Sequence, residues 1–136
     1  MKHLLHLAVL APFAAAVDIR FDQTYDNAAG STATVACSTG STGLLTRGFP
    51  TFGSLPTFPN IGASDAIAGF GSAECGSCWN ITFQGTSIVV TAIDHAGNGF
   101  NLALEAMNTL THGNAVQFGT VTGATAVQLA ESACGL

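Results

Sequence analysis

Cys75-Gly76-Ser77-Cys78-Trp79 is the stretch whose reading decides the fold. With Cys37 and Cys134 it contains all four cysteines of the chain. A C-x-x-C pair serves redox catalysis, metal ligation or a double disulfide anchor. A thioredoxin-like site follows a strand and opens a helix within a βαβ unit. Here the motif leads instead into the β-rich run Trp79 to Phe83. A structural zinc site needs paired ligands, and Cys37 and Cys134 each stand alone. An even cysteine count in a secreted chain points to structural bridges.

Four cysteines allow three pairings. Joining Cys75 to Cys78 leaves Cys37 and Cys134 to pair across the whole domain and ranks last. Of the other two we favour Cys37–Cys75 with Cys78–Cys134. The first would pin the Pro-rich segment that follows Cys37, and the second would tie the C-terminal tail to the hairpin that begins at Cys78.

Secretion is read from the N-terminus. Met1 to Ala16 has Lys2 as a basic start, an apolar run from Leu4 to Phe13, and Ala14-Ala15-Ala16 as a small-residue cleavage site. The run is too short to span a bilayer. Cleavage after Ala16 leaves residues 17–136, a length suited to one domain that buries about two-thirds of its unfolded surface. That part keeps all eight acids but, of Lys and Arg, only Arg20 and Arg47. Nucleic acid and anionic membranes need a basic face, so neither is an expected partner. The surface instead promises Gly, Ser, Thr and Asn, suited to uncharged ligands.

Val17 to Asp22 alternates apolar and charged residues and predicts a half-buried strand. Asn27 to Thr34 reads as a loop and Val35-Ala36-Cys37 as a short strand. Residues 38–62 carry Phe49-Pro50, Leu55-Pro56 and Phe58-Pro59 and predict a long ordered loop. Ser64 to Gly69 suggests one helical turn. Cys78 to Phe83 and Ser87 to Asp94, linked by Gln84-Gly85-Thr86, form a hairpin pattern. Leu102 to Leu110 has helical spacing, with Gly113 beyond it. Asn114 to Val121 and Thr125 to Leu129 read as two more strands. The pattern is mainly β with one good helix.

The chain resembles the cerato-platanin family of small secreted fungal proteins. The resemblance is carried by Val35-Ala36-Cys37-Ser38, Phe49-Pro50-Thr51-Phe52-Gly53, Phe58-Pro59-Asn60-Ile61-Gly62 and Asp65-Ala66-Ile67-Ala68-Gly69. It continues through Cys75-Gly76-Ser77-Cys78-Trp79 and Asp94 followed by Gly99-Phe100-Asn101. These motifs run in order from about Ile19 to Cys134. The resemblance implies a six-stranded double-psi β-barrel with one or two short helices and two disulfides, and the favoured pairing is also the family's. It implies a secreted or cell-wall protein that binds chitin-type or other cell-wall oligosaccharides without catalysis and elicits or modulates host immune responses, with a host receptor as a further partner. Two alternatives stand beside it. One is an expansin-like wall-loosening or weakly hydrolytic protein. The other is a structural or immune-signalling protein whose groove is vestigial.

The resemblance places Asp94, Asn101 and Phe49 in the sugar groove. A carboxylate at Asp94 accepts hydrogen bonds from sugar hydroxyls, while its plainer role is a turn Asp bonding its own backbone. Asn101 also suits helix N-capping before Leu102. Phe49 stands where the family often has Tyr, and so keeps a stacking face without a hydroxyl. His95 adjoins Asp94, but strand neighbours face opposite ways, and it reads as a surface histidine. His112 sits at the helix end, where a cation is mildly favoured. Trp79 groups with Ile81 and Phe83 as a core residue. Glycoside hydrolysis normally needs two carboxylates, and Asp94 has no evident partner. Asn80-Ile81-Thr82 is an N-glycosylation sequon. No catalytic triad, phosphate loop, cofactor motif or metal-ligand spacing is present.

Overall fold

The computed structural model describes residues 15–136. The signal-peptide reading of Met1 to Ala16 lies outside them except for Ala15 and Ala16, which open the first strand. The six strands are β1 (Ala15–Phe21), β2 (Ile61–Ser64), β3 (Cys78–Phe83), β4 (Thr86–His95), β5 (Phe100–Leu102) and β6 (Val121–Leu129). They close into a barrel in the order β1-β5-β2-β4-β3-β6. The β1–β5 and β2–β4 pairs are parallel, and the other neighbours are antiparallel. This is the barrel architecture expected from the resemblance.

Inward side chains from the strands fill the barrel. Ile19, Ile61, Ile81, Val90 and Leu102 are fully buried and meet in the core. The β3–β4 hairpin turns on Gln84 and Gly85, at φ 47° and 81°. Two consecutive positive φ values match the twist of a tight hairpin, so Thr86 joins the strand rather than the turn. Trp79 packs edge-on against Phe100 at 5.6 Å, as a residue at the margin of the core.

Both bridges form as favoured, Cys37–Cys75 and Cys78–Cys134. Among the described residues no cysteine is free, which removes the redox and zinc readings of Cys75-Gly76-Ser77-Cys78. Arg47 reinforces the clamp. Its guanidinium donates to the Cys75 carbonyl at 3.0 Å and pairs with Glu131 at 3.2 Å. The Pro-rich loop, the first bridge and the C-terminal segment are thereby tied together.

Several local expectations are corrected. Val35–Cys37 forms no strand. Its amides turn inward to β4 instead, Cys37 donating to the Ile93 carbonyl and Ala36 to the Asp94 carboxylate. The loop ends earlier than expected, because Ile61–Ser64 is a strand buried along its whole length. Ser64–Gly69 therefore closes β2 and turns rather than coiling. Helix α1 spans Leu104–Thr111, not Leu102 to Leu110. Leu102 ends β5, and Asn101 lies inside that strand, so it caps nothing. The cap comes from far away: Asp26 accepts from the amides of Leu104 and Glu105 at 2.8 and 2.9 Å. Where a strand was expected after Asn114, a short helix α2 (Ala115–Phe118) forms. The last strand is one element, starting at Val121. Its ladder to β1 shifts between Val17 and Ile19, and Gly123 at φ 74° takes up the extra residue as a bulge.

Candidate functional site

The site is assembled on β2, which lies between β4 and β5. Ala63 is the register partner of Asp94 on β4 and of Asn101 on β5. Asn101 is in turn the partner of Arg20 on β1. Register partners share a face of the sheet, so Asp94, Ala63, Asn101 and Arg20 form one row across four strands. Phe100 and Leu102, on either side of Asn101, are buried, which turns the part-exposed Asn101 outward. Of the row, Asp94, Asn101 and Arg20 reach solvent while Ala63 is buried. The β2–β4 register slips by one residue at Ile93. That bulge buries Ala92 and Ile93 together and re-aims Asp94 outward.

Asp94 is held tightly. Its Oδ2 accepts from the Tyr25 hydroxyl at 2.8 Å, and its Oδ1 accepts from the amides of Ala36 and His95, each at 2.9 Å. The plainer role weighed for it is met, since it bonds the next amide, and its part-exposed side chain also stands in the row. A carboxylate offers about four acceptor positions, and three are taken. Tyr25 is 5% exposed and packs on Phe52 with ring centroids 6.1 Å apart. Burial, then the hydrogen bond to Asp94, pushes its phenol well above the usual range. It stays protonated and donating at any ordinary pH.

Phe49 is half-buried against the core. Its backbone is bonded to Leu44 and to the Thr32 hydroxyl, and the segment from Thr32 to Ala36 connects it to Asp94. It is linked to Asp94 only through that segment and does not join the row. His95 forms no dyad with Asp94. Its Nδ1 lies 2.6 Å from the Ile67 carbonyl oxygen, which can only accept, so Nδ1 carries the proton and the ring turns away. His112 bonds the Thr86 hydroxyl at 2.8 Å. Asn80 is half-buried on β3 between Val89 and Val127 of the neighbouring strands. No cluster of three or more metal-ligating side chains occurs among the described residues.

Residues absent from the sequence-level set complete the site. Tyr25 is 69 residues from Asp94 in the chain, and no local pattern announces such a contact. Ala63 matters because it pairs in register with both Asp94 and Asn101, although it is itself buried, 1% exposed, as part of the core. Arg20 was visible as the exposed member of an alternating strand, but its neighbour in register was not.

A family model for cerato-platanin matches residues 17–136. The chain belongs to the cerato-platanin family. It is similar to the crystal structure of cerato-platanin 2 from M. perniciosa, with 60% identity, a TM-score of 0.84, and coverage of 90% of this chain and all of that one. The solution structure of the fungal elicitor Cerato-Platanin superimposes with a TM-score of 0.77 at 38% identity, over 87% of this chain and 96% of that one. Among curated relatives, the Allergen Asp f 15 homolog of Arthroderma benhamiae is 47% identical over 120 residues, 87% of this chain. The chain spans only 58% of that relative's length. The heat-stable 19 kDa antigen of Coccidioides immitis is 36% identical over 125 residues, 92% of this chain and 85% of the antigen. The family is thus one of fungal elicitor-type and allergen proteins, and no helix among the described residues is long and apolar enough to cross a membrane.

Proposed function

We propose that this cerato-platanin is a secreted, non-catalytic binder of chitin-type or related cell-wall oligosaccharides that host immune systems sense. The observation that carries the reading is the row Asp94–Ala63–Asn101–Arg20. It is a shallow strip on which an acceptor, a mixed donor–acceptor and a donor follow one another at strand spacing. A sugar chain laid along it meets hydroxyl and acetamido partners of both kinds.

The non-catalytic part is supported by the commitment of Asp94. A carboxylate already engaged by three donors holds its position, and it is the one carboxylate of the row, whereas glycoside cleavage uses two acting in concert. Secretion is supported by the Met1 to Ala16 sequence and by two disulfides, which belong to oxidising compartments. The immune role is supported by relatives named as allergen, antigen and elicitor.

The test is calorimetric titration of the secreted protein with chitin oligomers, alongside Asn101→Ala and Asp94→Asn. We expect saturable binding that weakens at least tenfold in Asn101→Ala, an exposed-face change that spares the core. Equal affinity in both variants and wild type refutes the assignment of the row. Release of reducing sugar that disappears in Asp94→Asn refutes the non-catalytic reading.

A further inference from the structure

The barrel has a concave surface remote from the row. A cavity of about 310 Å3 is lined by Phe83, Gln84, Phe118, Thr120, Val121 and Thr122. The tip of the β3–β4 hairpin forms one wall. The turn between α2 and β6 forms the other: Gly119, at φ 68°, reverses the chain so that the Thr120 amide donates back to the Phe118 carbonyl at 2.7 Å. Asp94 lies near the far end of β4 from this hairpin tip. At about 3.3 Å per residue the two places are roughly 25 Å apart along the strand.

The chemistry of the lining is mixed and uncharged. Phe118 is 44% exposed, so a ring is available to a ligand. Gln84, Thr120 and Thr122 are also exposed, offering a carboxamide and two hydroxyls around that ring. A charged ligand would find no counter-charge among the lining residues. A wholly apolar ligand would strip water from three polar side chains and return no hydrogen bond. A pyranose ring suits both demands, with a C–H face for the aromatic ring and a rim of hydroxyls for Gln84 and the threonines. The volume sits at the lower end for small-molecule sites, which fits a single ring rather than a length of chain.

We propose that this cavity is a second glycan site, taking one neutral hexopyranose unit stacked on Phe118. Two sites some 25 Å apart on one small barrel would let the protein touch two strands of a wall polymer, and weak binding at each would sum to a useful avidity. The proposal does not rest on the row at Asp94, and the two fail separately.

The experiment is a 1H–15N NMR titration of the secreted protein with chitotriose and, separately, cellotriose. The expected result is saturable shifts at the amides of Gln84, Gly119 and Thr120, with a Kd on the order of 1 mM. Those shifts should weaken at least tenfold in Phe118→Ala and persist in Asp94→Asn. Thr120→Val, which removes one hydroxyl at constant volume, should weaken them as well, and retained spectral dispersion reports that each variant is folded. Shifts confined to the amides around Asp94 and Asn101 overturn the second site while leaving the first. Shifts at the cavity with none at the row do the reverse. Shifts at the cavity that follow protein dilution without sugar, or that survive Phe118→Ala, also overturn the proposal, the former by showing self-association there.

Discussion

Removal of the Asp94 carboxylate should damage the fold before it damages any binding. In Asp94→Ala the Tyr25 hydroxyl and the Ala36 amide lose their acceptor. Tyr25 is nearly fully buried, so water cannot readily replace the lost partner. A buried group left unpaired costs about 1–3 kcal/mol, and bonds to a charged acceptor are the stronger kind. The His95 amide lies at an exposed residue and recovers its partner from solvent. Summing the two enclosed groups gives a loss of about 3–4 kcal/mol, a large share of the 5–15 kcal/mol that holds a typical domain together. Asp94→Asn behaves differently. The amide oxygen can still accept from Ala36 and His95, and the NH2 group can donate to the Tyr25 oxygen, so its cost should stay near 1 kcal/mol.

Urea unfolding with disulfides intact, followed by the fluorescence of Trp79, the chain's one tryptophan, measures both. The ordering expected is wild type, then Asn, then Ala, with unchanged m-values. An Ala variant within about 0.5 kcal/mol of wild type, below the cost of even one such bond, would show that the three hydrogen bonds do not brace the barrel and would undo the structural half of Asp94's role. The result also governs how binding data are read. Loss of sugar binding in Asp94→Ala alone could report a displaced 25–36 segment, so the Asn variant is the informative one.

Tyr25 is the chain's only tyrosine, so phenolate absorbance titrates a single group. Its folded pKa is raised, so its contribution to stability is complete below the unfolded value of about 10 and is lost as pH rises beyond it. Wild type should show no phenolate signal until alkaline unfolding, whereas titration near pH 10 with the barrel still folded would contradict the burial and the bond to Asp94. Asp26→Ala should cost about 1–2 kcal/mol, because it uncaps both Leu104 and Glu105. Faster amide exchange in α1, at little change elsewhere, is the signature to seek. Replacing Cys78 and Cys134 together by Ala opens a loop with a separation of 56 residues and should cost about 4 kcal/mol in the chain-entropy model. A variant that melts with wild type would show that the tail is held by packing alone.

The sequence made some elements legible and hid others for identifiable reasons. The β3–β4 hairpin was readable because alternation and a Gly-containing turn are local signals. The disulfide framework was readable from the count and spacing of four cysteines. Strand β2 was hidden because Ile61-Gly62-Ala63-Ser64 is enclosed on both sides and shows no alternation, so it resembled the Gly- and Pro-rich loop before it. Leu102 carried the right spacing for the helix yet belongs to β5, since parallel pairing with Phe21 outweighs a local 3.6-residue period. Val116 and Phe118 carried the β-like composition expected of a strand. The Asn108 side chain accepts from the Ala115 amide instead, and a helical turn starts there.

The same division runs through the site. Asp94 and Asn101 came into view through motif resemblance, but what makes them one site is Ala63, whose two ladders bring strands 31 and 38 residues away to its sides. The row therefore needs β2 paired on both edges, parallel with β4 and antiparallel with β5. The clamp at Cys75 and Cys78 secures the closed barrel from two directions. One bridge anchors Cys37, next to the Ala36 amide that grips Asp94, and the other fixes the tail against β3. Reduction should therefore release the Asp94 brace and loosen the row together, so any binding that depends on the row should be lost in the reduced protein.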